Sequence, residues 1–306
     1  MAPPSEPLLA GVDVGGSALK LGVLARDGSR RAECSLPVRQ GESAQVIFQA
    51  AARALRELDG GPLEAVGVGL PGLLDRAAGR VHQSPNLPWL VDVPVAEVLG
   101  KALGIDSAAI RLENDANVAA LGEQWLGAAR GLDNLLLLTL GTGIGGGLIL
   151  SGELFVGEGL AGEPGHLNID PNGPPCGCGS RGCLEMFASA TAARRRATER
   201  GLPEEKPGDL ILLAELARKR AGAERVLLQE VGYDLGRGLA QVLALLDVRT
   251  FVFGGGFSAA LDVLEPGIRR ALREWSYGDR TDSVRLLPAR LGPSAGWIGA
   301  ARLVRG

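Results

Sequence analysis

The sequence has no excess of basic residues and no run that would suit a membrane. Its 306 residues contain 32 Lys and Arg against 35 Asp and Glu, a formal net charge of −3. Such a chain has no basic field to attract nucleic acid or an anionic membrane. The longest uncharged stretch, residues 134–152, contains six glycines and falls short of the ~20 apolar residues that a spanning helix needs. We therefore expect no nucleic acid and no membrane among its partners.

The first residues also lack the pattern of a secretory leader. Residues 1–16 have no positively charged segment and only a short apolar run, so we expect no signal peptide. This favours a cytoplasmic protein whose four cysteines stay reduced. The proline-rich residues 1–7 are expected to form a disordered tail.

Three of the four cysteines lie within eight positions, and a rare histidine precedes them. Cys176, Cys178 and Cys183, with His166, could form a tetrahedral set of three sulfurs and one nitrogen. Thiolates and imidazole suit zinc better than calcium or magnesium. An iron-sulfur cluster, two disulfides or unligated core thiols are the alternatives. Glycines between the cysteines favour a loop that can wrap around an ion.

Two stretches each predict a pair of strands joined by a glycine turn. Residues 8–25 are apolar on both sides of a Gly-Gly-Ser turn, and residues 134–151 repeat this plan. Backbone N–H groups in such turns can approach a phosphate, although either stretch alone is also compatible with an ordinary hairpin. The repetition indicates two similar half-molecules. A third glycine cluster at 254–256 precedes a helical pattern at 258–275, a start that can bind a nucleotide phosphate.

Strand and helix patterns alternate in the rest of the chain, which predicts an α/β protein. Residues 42–58 and 93–103 have helical periodicity, and residues 65–70 and 109–113 resemble strands. Asp115 then lies where a strand gives way to a helix. It could be an ordinary helix N-cap or a general base at this corner.

Five motifs occur in an order and spacing that resemble the ROK family of sugar kinases, and most of all its bacterial glucokinases. They are DVGGSALK at 13–20, ENDAN at 113–117, GTGIGGG at 141–147, GEPGH at 162–166 and CGCGSRGCLE at 176–185. The resemblance implies a two-domain hexokinase/actin-like (ribonuclease H-like) α/β fold with a cleft between the domains. The sequence departs from the family pattern at Ser17, where threonine is usual, and at Val248, where proline is usual.

The resemblance also implies a division of the chain. A smaller N-terminal α/β domain would span residues 1–116, and a larger α/β domain carrying the zinc loop would span 117–295. A C-terminal helix at about 296–304 would pack back on the first domain. Family members form dimers or tetramers, so we expect a homodimer or homotetramer.

The implied activity is ATP-dependent phosphorylation of the 6-hydroxyl of a hexose, with glucose as the expected sugar. Asp115 would be the general base, and the expected sugar-binding residues are Gly72, Asn86, Asn114, Asp115, Glu163, His166 and Glu185. ATP with Mg²⁺ would be bound by Asp13, Gly15, Gly16, Ser17, Lys20, Gly141, Thr142, Gly143, Gly254, Gly255 and Gly256. One structural Zn²⁺ would be bound by His166, Cys176, Cys178 and Cys183.

The resemblance is also compatible with other functions. A non-catalytic sugar-binding protein would be expected to lose Asp115 or the phosphate glycines, and neither is lost. A sibling kinase for N-acetylglucosamine, mannose or fructose would use the same sugar contacts, and polyphosphate could replace ATP as donor. Some ROK proteins are sugar-responsive transcriptional regulators with an N-terminal winged helix. Because the first glycine hairpin begins within the first fifteen residues, we expect no DNA-binding domain here.

Overall fold

The computed structural model describes residues 7–39, 41–58, 61–84, 87–202, 210–277 and 281–305. The strands are β1 Leu8–Val14, β2 Ala18–Leu24, β3 Arg30–Pro37, β4 Leu63–Leu70, β5 Leu73–Asp75, β6 Arg80–Gln83, β7 Val91–Val93, β8 Ile110–Asn114, β9 Leu135–Leu140, β10 Ile144–Leu150, β11 Glu153–Phe155, β12 Thr250–Gly254 and β13 Arg285–Pro288. The helices are α1 Ala44–Leu58, α2 Val95–Leu103, α3 Asp115–Leu126, α4 Glu185–Ala188, α5 Ala190–Glu199, α6 Leu210–Lys219, α7 Ala223–Leu246, α8 Leu261–Trp275 and α9 Ala295–Leu303.

The chain divides into two compact units, each with its own five-stranded sheet. The first unit comprises Met1–Leu132 with Arg290–Gly306, and the second comprises Asp133–Ala289. The strand orders are β3-β2-β1-β4-β8 and β11-β10-β9-β12-β13. In both sheets the first three strands are antiparallel neighbours and the remaining pairs are parallel. The two half-molecules that the repeated glycine hairpins predicted therefore have the same sheet topology.

Hydrophobic patterning explains how the first sheet is covered. Strand β1 is apolar and almost entirely buried, and helix α1 buries Ile47, Phe48 and Leu55 on one face. Strand β3 alternates between exposed and partly buried residues, as expected of an edge strand that is half covered. A separate small antiparallel sheet of β5, β6 and β7 belongs to the same unit.

Helix α9 returns to the first unit and packs against α3 and β1. A Cβ atom on Gly11 of β1 would lie 1.7 Å from the carbonyl oxygen of Trp297, so this packing requires glycine on the strand. The sequence placed the domain boundary between residues 116 and 117, which falls in the first turn of α3. Because α3 packs on α9, the contacts instead group all of α3 with the first unit.

In the second unit, helices α7 and α8 share a hydrophobic core with the five-stranded sheet. Helices α7 and α8 pack closely together, and both bury apolar residues in the same core as β9 and β12. Within the described part of the chain, no helix combines the length and the apolar character needed to cross a bilayer.

Candidate functional site

The corner between β8 and α3 is capped by Asn114. Its side-chain oxygen accepts hydrogen bonds from the N–H groups of Ala116 at 2.9 Å and Asn117 at 3.4 Å. The N-cap role that the sequence left open for Asp115 is therefore performed by Asn114. Asp115 is the first residue of the helix, and its Oδ1 accepts a second hydrogen bond from Ala116 N–H at 2.9 Å.

Two carboxyl groups of the first unit have raised pKa values. Burial raises the pKa of Asp115 above its ordinary value of 3.8, and the Ala116 N–H opposes this rise. Burial raises the pKa of Asp13 to about 6, Lys20 lowers it, and the charge of Asp115 raises it. Asp13 and Asp115 are therefore close enough to interact. A buried carboxyl with a raised pKa is a stronger proton acceptor than an ordinary one, as a general base requires.

The predicted phosphate residues of the first unit surround the turn between β1 and β2. Gly15 N–H donates to the carbonyl of Ala18 at 3.0 Å and closes this turn, on which Gly16 and Ser17 are exposed. The ammonium of Lys20 lies 3.9 Å from Asp13. The turn thus presents a backbone loop, a hydroxyl residue, a cation and a carboxyl together.

Of Gly72 and Asn86, both predicted to face the sugar, the structure describes only Gly72. Gly72 follows β4 with a φ of 125° and lies directly against Ser84. Asn86 lies outside the described residues.

The predicted nucleotide residues of the second unit meet at one cavity. Gly141 and Thr142, after β9, and Gly256, after β12, line a cavity of 650 Å³. Strands β9 and β12 are parallel neighbours, so their carboxyl ends bring the two glycine turns to the same edge of the sheet. Gly254 ends β12, and Gly255 follows it with a φ of 80°.

Helices α5 and α6 supply the remaining wall of this cavity. Arg194, Ile211, Glu215 and Arg218 line it, together with Phe257. It therefore combines apolar surface with charged groups, as cavities that bind a nucleotide base and its phosphates do.

The predicted metal ligands form one compact cluster in the second unit. The ligand atoms of His166, Cys176, Cys178 and Cys183 all lie within 4.8 Å of one another. The Cys178 and Cys183 sulfurs are 3.7 Å apart, and Cys176 Sγ is 3.9 Å from His166 Nδ1. Four ligands on a tetrahedral zinc ion have separations of about 3.5–3.8 Å, given Zn–S and Zn–N bonds of about 2.3 and 2.1 Å. The donor set therefore fits zinc in both chemistry and spacing, and none of the four cysteines, all in the described part, forms a disulfide.

Helix α7 holds the base of this metal-ligand loop. The Arg237 guanidinium donates to the Ile169 carbonyl, and the Gln241 amide donates to the Asn168 carbonyl at 3.0 Å. Two backbone bonds close the loop, from Ile169 N–H to Gly182 O at 2.9 Å and from Leu184 N–H to Leu167 O at 2.8 Å.

Glu185, the first residue of α4, connects the metal-ligand cluster to the second glycine turn. Its Oε1 lies 3.1 Å from Cys176 Sγ and 3.8 Å from His166 Nδ1. A Cβ atom on Gly143 would lie 2.5 Å from Glu185 Oε2, so glycine at this position lets the carboxylate approach the turn. Glu163 is exposed and directly precedes the 3₁₀ turn Pro164–His166.

The structure adds one pair of residues that the sequence reasoning did not identify. Glu113, beside the Asn114 cap, is buried and forms an ion pair with Arg76. Glu113 follows the apolar residues Ile110 and Leu112 of β8, which is a weak signal for a buried charge, but the sequence does not identify a partner 37 positions away.

Known proteins are similar to this chain in both sequence and structure. A glucokinase of Thermotoga maritima is 36% identical over 313 residues, covering 97% of this chain and 97% of the relative. The crystal structure of a ROK hexokinase from Thermus thermophilus is 36% identical with a TM-score of 0.82, covering 96% of this chain and 97% of that one.

A structure with bound ligands is also similar. A ROK family glucokinase from Streptomyces griseus, in complex with glucose and AMPPNP, is 34% identical with a TM-score of 0.76, covering 97% of this chain and 99% of that one. The ROK family description matches residues 9–306. The chain therefore belongs to the ROK family.

Proposed function

We propose that this protein is a sugar kinase that transfers the γ-phosphoryl group of ATP to the 6-hydroxyl of glucose. The observation that carries the proposal is the Asp115 carboxyl, which has a raised pKa while Asn114 supplies the helix cap. Relatives named glucokinase at 36% and 34% identity support the sugar and the reaction, and the complex of a relative with glucose and AMPPNP supports the donor.

Asp115 accepts the proton of the 6-hydroxyl as the sugar oxygen attacks the γ-phosphorus. Transfer is direct and in line, so no covalent intermediate with the protein is formed. Asn114, Glu163, His166 and Glu185 bind other sugar hydroxyls, and Gly72 and Asn86 complete the sugar side. Carboxylate and amide groups suit this role because they accept or donate hydrogen bonds to hydroxyls.

The phosphates of ATP are bound mainly by backbone groups and by the cation of the first turn. The residues in this role are Gly15, Gly16, Ser17, Lys20, Gly141, Thr142 and Gly143, while Gly254, Gly255 and Gly256 face the adenosine. Mg²⁺ would neutralise phosphate charge, and Asp13 is the carboxylate available to hold it. The cavity beside Thr142 and Gly256 has a volume of 650 Å³. Pockets for small molecules and cofactors range from about 300 to 1,000 Å³, so this cavity is large enough for a nucleoside.

A zinc ion held by His166, Cys176, Cys178 and Cys183 would have four protein ligands and no position for water, as structural zinc sites do. His166 presents Nδ1 to Cys176 and Glu185. Its other nitrogen, Nε2, then carries the hydrogen and donates it to a sugar hydroxyl.

Glucose is favoured over other sugars by the names of the relatives, and N-acetylglucosamine, mannose and fructose are the alternative substrates. ATP is favoured over polyphosphate by the cavity beside the second glycine turn. Relatives named glucokinase are 34–36% identical to this chain and relatives named xylose repressor are 26–31% identical, which favours the kinase over a regulator. The homodimer or homotetramer and the cytoplasmic location stay predictions.

A coupled assay with four sugars and two donors tests this proposal. We expect ATP with glucose to give the highest kcat/KM, and phosphorus NMR of the product to locate the phosphate on the 6-oxygen. A higher kcat/KM with another hexose would change the sugar assignment. Absence of any sugar phosphate with either donor would contradict the kinase.

A further inference from the structure

Glu113 is a buried carboxylate with four hydrogen-bond donors. Its residue exposure is 3%. Arg76 donates to it twice, from Nε at 2.7 Å and from Nη2 at 2.5 Å. The backbone N–H of Asn114 donates at 2.8 Å, and the side-chain amide of Asn117 donates at 2.9 Å.

Such a pair is an unusual way to stabilise a strand end. A buried ion pair gains little net stability over well-packed apolar residues of similar volume, although removing one partner alone costs about 3–5 kcal/mol. Strand β8 is also anchored by the buried apolar side chains of Ile110 and Leu112. Stability alone therefore does not explain a carboxylate at position 113, and its contacts indicate what else it does.

The two groups of the β8–α3 corner that Glu113 binds, the N–H of Asn114 and the side-chain amide of Asn117, lie on either side of Asp115 in the sequence. Asn114 precedes Asp115 and caps its helix, and Asn117 lies in the same first turn. The carboxylate thus fixes the backbone on one side of Asp115 and a side chain on the other.

Arg76 connects the same carboxylate to a second element. It follows β5 directly, at the start of the turn that leads to β6, and is four residues from Gly72. Strand β6 is followed by Ser84, which contacts Gly72. One guanidinium therefore ties the small sheet beside Gly72 to the β8–α3 corner.

We propose that Glu113 and Arg76 are positioning residues for the phosphoryl transfer: Glu113 holds the Asp115 corner, and Arg76 holds the small sheet beside Gly72 at a fixed place relative to that corner. The inference rests on the proposed sugar kinase function. It assigns the two contacts different consequences. Loss of the corner contacts lowers kcat, and loss of the link to the small sheet raises KM for the sugar.

Two double variants separate these consequences without leaving a buried charge unpaired. In Glu113→Gln with Arg76→Met, the Gln oxygen still accepts from Asn114 and Asn117. Asn117 Oδ1 is buried without a hydrogen-bond partner among the described residues, so the first turn of α3 also contains an acceptor for the new amide N–H groups. In Glu113→Leu with Arg76→Met, the acceptor for the corner groups is lost as well.

The expected results differ in kcat and in KM. The Gln/Met variant should keep kcat within about threefold and raise sugar KM about 10-fold, since it loses only the link to the small sheet. The Leu/Met variant should also lose about 10- to 100-fold in kcat, because misplacing a catalytic group by about 1 Å costs up to 10²-fold. KM for ATP should stay within about twofold in both.

A matched pair provides the control. Glu224 in the second unit has the same 3% exposure and is paired with Arg220 at 2.6 Å. Glu224→Gln with Arg220→Met should leave kcat and both KM values unchanged. Hydrogen exchange at residues 114–117, faster only in the Leu/Met variant, provides a readout that does not depend on activity.

The outcomes are distinguishable. If the wild type is active and both double variants keep the wild-type kcat and sugar KM, the positioning role is wrong and the proposed kinase function still stands. The same conclusion follows if the activity of the variants falls only in proportion to their folded fraction. A wild type that phosphorylates no hexose would overturn both. Should the Leu/Met variant not fold, Glu113→Asp carries the same prediction: its shorter carboxylate cannot reach both Arg76 and Asn117, and an unchanged kcat would refute the role.

Discussion

Replacement of Cys178 by serine should remove the zinc ion and leave the second unit folded. The Cys178 side chain is exposed, whereas Cys176 and Cys183 are buried, so the change opens no cavity. A serine hydroxyl does not replace a thiolate as a zinc ligand. The base of the loop keeps its bonds from α7, through Arg237 and Gln241.

The size of the effect follows from the position of Glu185. Its carboxylate lies 3.1 Å from Cys176 and 3.8 Å from His166. Release of the metal would therefore free Glu185 and His166, the two side chains proposed to bind sugar, to move. A hydrogen bond to a charged group contributes about 1.5–3 kcal/mol. Loss of the hydrogen bond that Glu185 is proposed to make to the sugar should therefore raise sugar KM about 10- to 100-fold. KM for ATP should rise far less than sugar KM, because Thr142 and Gly256 lie outside the loop and only Gly143 of the second glycine turn lies against Glu185.

Metal content, melting temperature and both KM values measure this prediction. Cys34→Ser is the matched control, since Cys34 lies on β3 in the first unit and is not part of the cluster. It should retain zinc and both KM values. A zinc-free Cys178→Ser protein with wild-type sugar KM would refute the reasoning, and so would a wild-type protein purified without chelators that contains no zinc.

Two further predictions concern buried carboxyl groups of the first unit. The pKa of Asp13 is raised from 3.8 to about 6, so the ligand-free folded protein binds this proton more tightly than the unfolded chain. The contribution of Asp13 to the free energy of unfolding should therefore fall by up to about 3 kcal/mol as pH rises from 4 to 7. Asp13→Asn should lose this slope in urea titrations, and an unchanged slope would contradict the assignment. Glu123, fully buried, accepts N–H groups of Ala128, Arg290 and Leu291. Glu123→Leu should lower the free energy of unfolding by about 2–5 kcal/mol and Glu123→Gln by less, and equal thermal melts for the two would refute this account.

Local chemistry determined which parts of the fold were predictable. The predicted strand at residues 8–14 matches β1, and the glycine turns at Gly15 and Gly141 join the strands expected on either side. Apolar periodicity placed α1 within about two residues. These elements follow from hydrophobic spacing and turn chemistry, which short stretches of sequence contain.

Long-range contacts were not predictable in the same way. The sequence suggested Asp115 as a possible helix cap, but the cap is Asn114. Asn114 has the extended backbone that precedes the helix, and the sequence alone does not show which of the two residues adopts it. Arg76, which pairs with Glu113, lies 37 residues away, and Arg290, which donates to Glu123, lies 167 residues away. Tertiary topology brings those pairs together, and no local pattern encodes them.

The grouping of the metal ligands was predictable because spacing alone limits it. His166 and the three cysteines lie within eighteen consecutive residues, so a short loop can bring them together. The approach of Glu185 to the same cluster depends on Gly143, from another strand pair, and appeared only in the structure.

The kcat of Asp115→Asn for glucose phosphorylation by ATP tests the central claim most directly. Because Asn114 caps α3, the Asn substitution should leave melting temperature and glucose affinity close to wild type. Loss of the general base should lower kcat by about 10²–10⁴. A wild-type kcat in this folded variant would contradict the assignment of Asp115 as the base.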